Sequence, residues 1–261
     1  ASLEDTRGSF LPEIVVIDHE SAEADALDVL ERWKQRLGER FRVLRQEGAF
    51  NWSLFNNLGA ANASTDLLLF LNNDVEALGP GWLEAMAAQA LRPMIGCAGA
   101  VLLYPDGTLQ HAGILLGYKG GNVEHPYRGL PREHMVHRGR SRFLTGWPAV
   151  TGACLMVRRD VFESAGGFDE RFPVELNDIE FCLRLGEKGL RHVVAPESEL
   201  LHHECQSRDP RGSPTAQPAL QLLCGLYPHR LSQSQPWWPE ACSRDHTDGR
   251  PTEFTHPDPS I

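Results

Sequence analysis

Apolar residues first gather at "EIVVID" (13 to 18), a β-branched run that reads as a strand buried on both faces. Behind it, "ADALDVLERWKQRLG" spaces Leu27, Leu30, Trp33 and Leu37 at roughly helical intervals and closes on Gly38, which predicts an amphipathic helix. "FRVLR" (41 to 45) predicts a second strand, "NWSLFNNLGAANAS" a second helix and "DLLLFL" (66 to 71) a third strand. Strand, helix, strand, helix, strand is the alternation of a doubly wound α/β fold with a mostly parallel sheet flanked by helices.

Further along, Pro80 opens a helix reaching about Arg92, and "IGCAGAVLLYPDGTLQHAGILLG" predicts two strands around the turn residues Pro105, Asp106 and Gly107. Periodicity lapses from 117 to 147, where Gly, Pro and a surplus of arginine predict a long surface loop. "AVTGACLMV" (149 to 157) predicts a strand, "RDVFESAGG" and "NDIEFCLRLGEKG" two helices, and "RHVVA" and "ELLHH" two closing strands. Half of the 18 prolines follow Cys205, so residues 206–261 read as an irregular tail, packed in part by Trp237 and Trp238. Residues 1–205 then form one α/β domain.

Composition narrows the class. A chain of 261 residues with 41% hydrophobic content can fill a core, and a formal charge of −10 disfavours nonspecific nucleic-acid binding. The six cysteines show neither metal-site nor disulfide spacing, which points to a reducing cytoplasm. No apolar run reaches the ~18 residues of a membrane span, so any membrane contact is expected to be peripheral.

Asp18 and Asp74 each close a buried strand, and in open α/β sheets the crevice outside the strand ends is where ligands bind. An aspartate there offers a hard oxygen to Mg²⁺ or Mn²⁺, ions that hold diphosphates. Asn and Asp also end strands simply as turn formers, and position alone favours that plainer reading. In "ELNDIEFCLRL", Asn177 and Glu180 have capping-box spacing and Asp178 suits a helix N-terminus; alternatively Asp178 projects into the crevice as a general base held by Glu180 or its neighbours. His202 and His203 point to opposite faces of a strand, so at most one readily joins a given site. Walker A, GxGxxG, GxSxG and HExxH patterns are all absent.

In order, "EIVVIDHES", "FNWSLFNNLGAANASTDLLLFLNNDVEAL", "LLYPDGTLQHAGILLG", "VTGACLMVRRDVFESAGGFDERF", "NDIEFCLRLGEKG" and "LLHHECQSR" resemble family 2 glycosyltransferases of GT-A fold, in particular the bacterial rhamnosyltransferase and surface-polysaccharide branch. The resemblance runs from about residue 10 to 210, and it implies a nucleotide-binding part at about 10–80 and a catalytic, acceptor-side part, smaller and antiparallel, at about 95–205. It implies that Asp18 contacts the nucleobase or ribose, that Asn57, Asn72 and Asn73 belong with the donor-binding residues, and that Asp74 in "NND" is the metal ligand of a DxD-type motif one acid short. It sets Gly152 and Ala153 beside the donor sugar, makes Asp178 the catalytic base, and gives one of His202 and His203, with His202 preferred, to the metal or diphosphate. Arg138, Arg140 and Trp147 become acceptor contacts. The implied activity is inverting transfer from a nucleotide-diphosphate sugar to a glycan or lipid-linked glycan, with Mg²⁺ or Mn²⁺, in the cytoplasm or at the inner face of the membrane. Family members open with a further strand before "EIVVID", so that first strand is expected to be missing here. Asn72 and Asn177 stand where the family carries acids, which keeps a non-catalytic nucleotide-sugar-binding or assembly domain as the alternative and a nucleotidyltransferase as a weaker one.

Overall fold

The computed structural model describes residue 2 and residues 8–119, 122–203, 215–232, 238 and 242–250. β1 (Ile14–His19) and β2 (Phe41–Gln46) pair in parallel, Ile14 opposite Phe41 and His19 opposite Gln46, and α1 (Ala24–Leu37) is their crossover. Gly38 stops α1 at φ +59, a conformation that costs a glycine little. α2 (Trp52–Ala61) starts at Asn51, whose side-chain oxygen accepts the Leu54 N–H at 3.0 Å.

The central sheet runs in the order β3 (Leu67–Leu71), β10 (Cys154–Arg158), β5 (Ile95–Leu103), β11 (Arg191–His202), β4 (Val75–Ala77), with β6 (Leu109–His111) on β5 and β9 (Thr145–Trp147) on β11. Within it only β5 and β11 are parallel, so the sheet is mixed rather than mostly parallel. The reason is β10, which returns from the 117–147 excursion and enters antiparallel between β3 and β5. All nine residues of β5 are buried. From Cys97 onward they alternate between two cores, as a period of two requires: Cys97, Val101 and Leu103 face a cluster with Phe70, Phe162, Phe168 and Phe181, while Ala98, Ala100 and Leu102 face α3 (Trp82–Ala90) through Trp82, Met86 and Ala87. α4 (Arg159–Ala165) and α5 (Asn177–Glu187) supply Phe162 and Phe181 to the first cluster.

Several expected elements take another form. The two closing strands are one, β11, with an irregularity between Ala195 and Glu199. The 117–147 stretch is not a plain loop: β7 (Leu115–Tyr118) and β8 (Asn122–Glu124) make a hairpin at its start, and β9 closes it. The tail contains α6 (Ala216–Leu226) and α7 (Pro228–Ser232), and Leu223, Leu231 and Trp238 lie in the first core cluster. Prolines at the first turn of a helix are tolerated, so Pro218 and Pro228 do not prevent these helices. Trp237 and Cys205 lie outside the described residues. The described cysteines are free, and no described helix is long and apolar enough to cross a membrane.

Candidate active site

The site begins where β3 stops. Asn72 donates its N–H to the Ala153 carbonyl at 3.0 Å, which ties the end of β3 to the turn before β10, and Trp52 Nε1–H donates to Asn72 Oδ1 at 3.3 Å. Asp74 lies between β3 and β4, and its carbonyl accepts the His203 N–H at 2.9 Å. That bond and the Val75–His202 pairing bring the last residue of β11 against Asp74.

His202 Nδ1–H donates to Gln110 Oε1 at 2.6 Å, and in the neutral ring Nε2 then carries a lone pair. That nitrogen, Nε2, stands 3.2 Å from Asp74 Oδ1, close enough for an ion pair but not aligned as a hydrogen bond, and Asp74 Oδ1 is buried with no hydrogen-bond partner among the described residues. Two electron-rich atoms facing each other in this way fit a bound cation. A carboxylate oxygen and an imidazole nitrogen oriented by a second-shell amide form a reasonable donor pair for Mn²⁺ or Mg²⁺.

Asp178 is the second residue of α5, and Leu176, at φ +63, turns the chain into that helix. Its Oδ2 accepts the Gly152 N–H at 2.7 Å and its Oδ1 the Ile179 N–H at 2.8 Å. A Cβ on Gly152 would lie 3.0 Å from the Trp52 ring and 3.3 Å from the Asp178 Cβ, so the glycine lets the carboxylate sit against the backbone. Burial pushes the Asp178 pKa up to about 6 against the downward pull of the Gly152 N–H. A carboxylate so tuned remains ionised at neutral pH and is a stronger base than an ordinary aspartate.

Asn72, Asp74, Gly152, Ala153, Asp178 and His202 line one cleft of about 250 Å³. Trp52, Glu124 and His125 line it too. Those three were not singled out by sequence: Trp52 reads as a helix-start aromatic, and Glu124 and His125 fall in the stretch without periodicity, where only the β7–β8 hairpin brings them to the cleft.

Other candidates lie elsewhere. Asp18 is buried but lines a separate hollow beside α1; hydrogen bonding from Ser21 and the Arg45 guanidinium at 2.5 Å hold its pKa below the usual carboxylate range. Asn57 is not at the cleft: its side chain exchanges hydrogen bonds with the Phe168 N–H and carbonyl and clamps the loop after α4. Glu180 does not hold Asp178 and closes no capping box, because it is turned into an ion pair with Arg184 at 2.9 Å and accepts Tyr227 OH at 2.9 Å. Asn73 is exposed, and the His203 ring is directed at Glu76, 3.5 Å away. Of the expected acceptor contacts, Arg138 is exposed away from the lining, Arg140 lies over the Trp147 ring at 5.0 Å, and Trp147 is core, packed under Gly113. A separate cluster, Cys97, Cys182 and His192, is fully buried. Both His192 nitrogens are engaged by backbone, at 3.2 Å to the Cys97 N–H and 2.8 Å to the Cys182 carbonyl, so it links strands to α5 rather than offering a metal centre.

Comparison with known proteins adds a family. The chain is 38% identical to the O-antigen biosynthesis protein RfbC of Myxococcus xanthus over 83% of its own length and 19% of the relative's. It is 34% identical to the N-acetylglucosaminyl-diphospho-decaprenol L-rhamnosyltransferase of Mycobacterium tuberculosis over 56% of this chain and 50% of that one. The chain thus spans about a fifth of the first relative and half of the second. Among solved structures it is similar to GalNAc-T7 with UDP, GalNAc and Mn²⁺ (TM-score 0.66, 18% identity, 87% of this chain and 44% of that one). It is also similar to the mannosyltransferase PcManGT of Pyrobaculum calidifontis with GDP-Man and Mn²⁺ (TM-score 0.55, 14% identity, 88% and 65%). These likenesses show the GT-A fold. The family profile described as "Glycosyl transferase family 2" matches residues 3–166, more than half of the sequence, and the chain belongs to that family.

Proposed function

We propose that the chain is an inverting glycosyltransferase domain that moves a sugar from a nucleoside-diphosphate donor to a hydroxyl of a glycan acceptor in bacterial surface polysaccharide synthesis. One observation carries this reading: Asp178, with its pKa raised to about 6, shares a single cleft with the Asp74 and His202 pair. The names of the Myxococcus and Mycobacterium relatives support the polysaccharide role, and the second supports a lipid-linked acceptor.

In this mechanism Asp178 takes the proton of the acceptor hydroxyl while the Gly152 N–H holds the carboxylate in place. The freed oxygen pair bonds to the anomeric carbon from the face opposite the diphosphate, which departs with its bonding electrons, and configuration inverts in one displacement. Asp74 and His202 would hold a divalent ion, whose charge offsets that of the departing phosphates. Trp52 keeps Asn72 fixed at the rim of the same cleft.

The test is turnover of a panel of UDP-, GDP- and dTDP-sugars with Mn²⁺ or Mg²⁺ by the wild-type chain and by Asp178→Ala. Donor consumption by the wild type and its loss in the variant is the expected result. Donor binding without turnover in either protein would mark the domain as a binding module and reject the reading.

A further inference from the structure

His125 follows β8 directly and lines the cleft, yet no role has been given to it. Its Nδ1 lies 2.9 Å from Nδ1 of His111, the last residue of β6, with the rings edge to face at 5.0 Å. Burial pushes both imidazoles below the usual histidine range, His125 down to about 3, and keeps them neutral. A hydrogen bond between two neutral rings needs one Nδ1–H and one bare Nδ1. The choice is settled by the far side of His111, which is 1% exposed and whose Nε2 is buried without a partner among the described residues.

Were His111 protonated at Nε2, a buried N–H would be left unpaired, which native structures rarely tolerate; an unpaired acceptor is less rare. His111 therefore carries its proton on Nδ1 and donates it to His125. His125 must then carry its own proton on Nε2, which has no hydrogen-bond partner among the described residues and belongs to a ring that lines the cleft. Asp74 and His202 line the same cleft as this ring. Glu124, its neighbour, is occupied otherwise, accepting the His125 backbone N–H at 2.9 Å and pairing with Arg128 at 3.6 Å.

We propose that His125 is a diphosphate contact: its Nε2–H donates to a phosphate oxygen of the bound nucleoside diphosphate, and His111 is the positioning residue that fixes the donating tautomer. This rests on reading the cleft as a sugar-nucleotide site. A neutral N–H suits the task because it binds the phosphate before and after transfer without having to gain or lose a proton.

The experiment is calorimetric titration of UDP, GDP and dTDP, and of the matching nucleosides, with Mn²⁺ present, into the full chain as wild type, His125→Phe and His125→Gln. The nucleoside diphosphate that binds wild type is expected to bind His125→Phe about 10- to 100-fold more weakly, as for loss of a hydrogen bond to a charged group, with the nucleoside unchanged and His125→Gln, which keeps an N–H, recovering much of the loss. Histidine ¹⁵N NMR of the wild-type chain, which does not depend on any variant folding, is expected to show His125 protonated at Nε2. Equal diphosphate affinity in all three proteins, an effect confined to the intact sugar donor, or a His125 protonated at Nδ1 each overturns the proposal alone. A wild-type chain that binds none of the three diphosphates overturns the sugar-nucleotide reading, and the contact with it.

Discussion

Asp178 sits in a setting that makes its protonation visible in kinetics. With the carboxyl moved from 3.8 to about 6, kcat/KM is expected to fall with unit slope as pH drops below about 6, and Asp178→Asn to lower turnover by roughly 10²- to 10⁴-fold and abolish that limb. A pH–rate profile of both proteins checks this. The sign for stability follows from the same shift: the folded chain holds this proton more tightly than the unfolded chain, so raising the pH from about 4 to 6 weakens the fold through this group. Asp74 and His202 invite a different measurement. Removal of divalent ions by EDTA is expected to depress transfer and Mn²⁺ to restore it, while His202→Ala should raise the Mn²⁺ concentration needed for half-maximal rate by about 10- to 100-fold. An unchanged Mn²⁺ dependence in the variant would argue against the pair as ligands.

At the scale of elements, the site depends on how three strand ends and one helix start meet. Gly152 joins them, touching the base by its N–H and the Trp52 ring by the space it leaves. Gly152→Ala asks those neighbours to give by a few tenths of an ångström, so the fold should survive while kcat drops on the order of 10-fold; melting temperature and kcat measured on the same preparation separate the two effects. The strands β1, β3 and β5 are legible in sequence as apolar runs, although β1, expected to be buried on both faces, buries only Asp18 fully because it lies in a separate two-stranded sheet with β2. The β7–β8 hairpin is not, since strands of four and three residues offer too few positions for alternation to emerge. The role of His125 is hidden for the same reason. Glu180 misleads in another way: its spacing from Asn177 satisfies a capping box, but burial beside Arg184 gives its carboxylate a better partner than a helix N–H.

Across the whole molecule, the segment beyond residue 214 contributes described residues to the core. Trp238 stacks near Tyr127 and His137, at 5.8 and 4.9 Å between ring centroids, and Leu223 and Leu231 bury with it. Its proline content argues for irregularity, and three well-placed apolar side chains outweigh that signal once a partner surface exists, which no local pattern reports. Tyr227 adds a polar tie through its hydroxyl to Glu180. Tyr227→Phe is expected to lower stability by about 1 to 3 kcal/mol, read as a fall in denaturant midpoint at unchanged slope. The resemblance to known glycosyltransferases locates Asp74, Asp178 and His202, whereas the side chains that brace them depend on long-range packing.

α5 presents Asp178 to the cleft from its first turn, and two residues on, from another face, Glu180 grips the C-terminal helices. A random-mutagenesis screen for lost transfer should therefore return alleles at Tyr227 and its neighbours along with those at the cleft. Such alleles would mimic active-site lesions in an assay while never touching sugar or nucleotide.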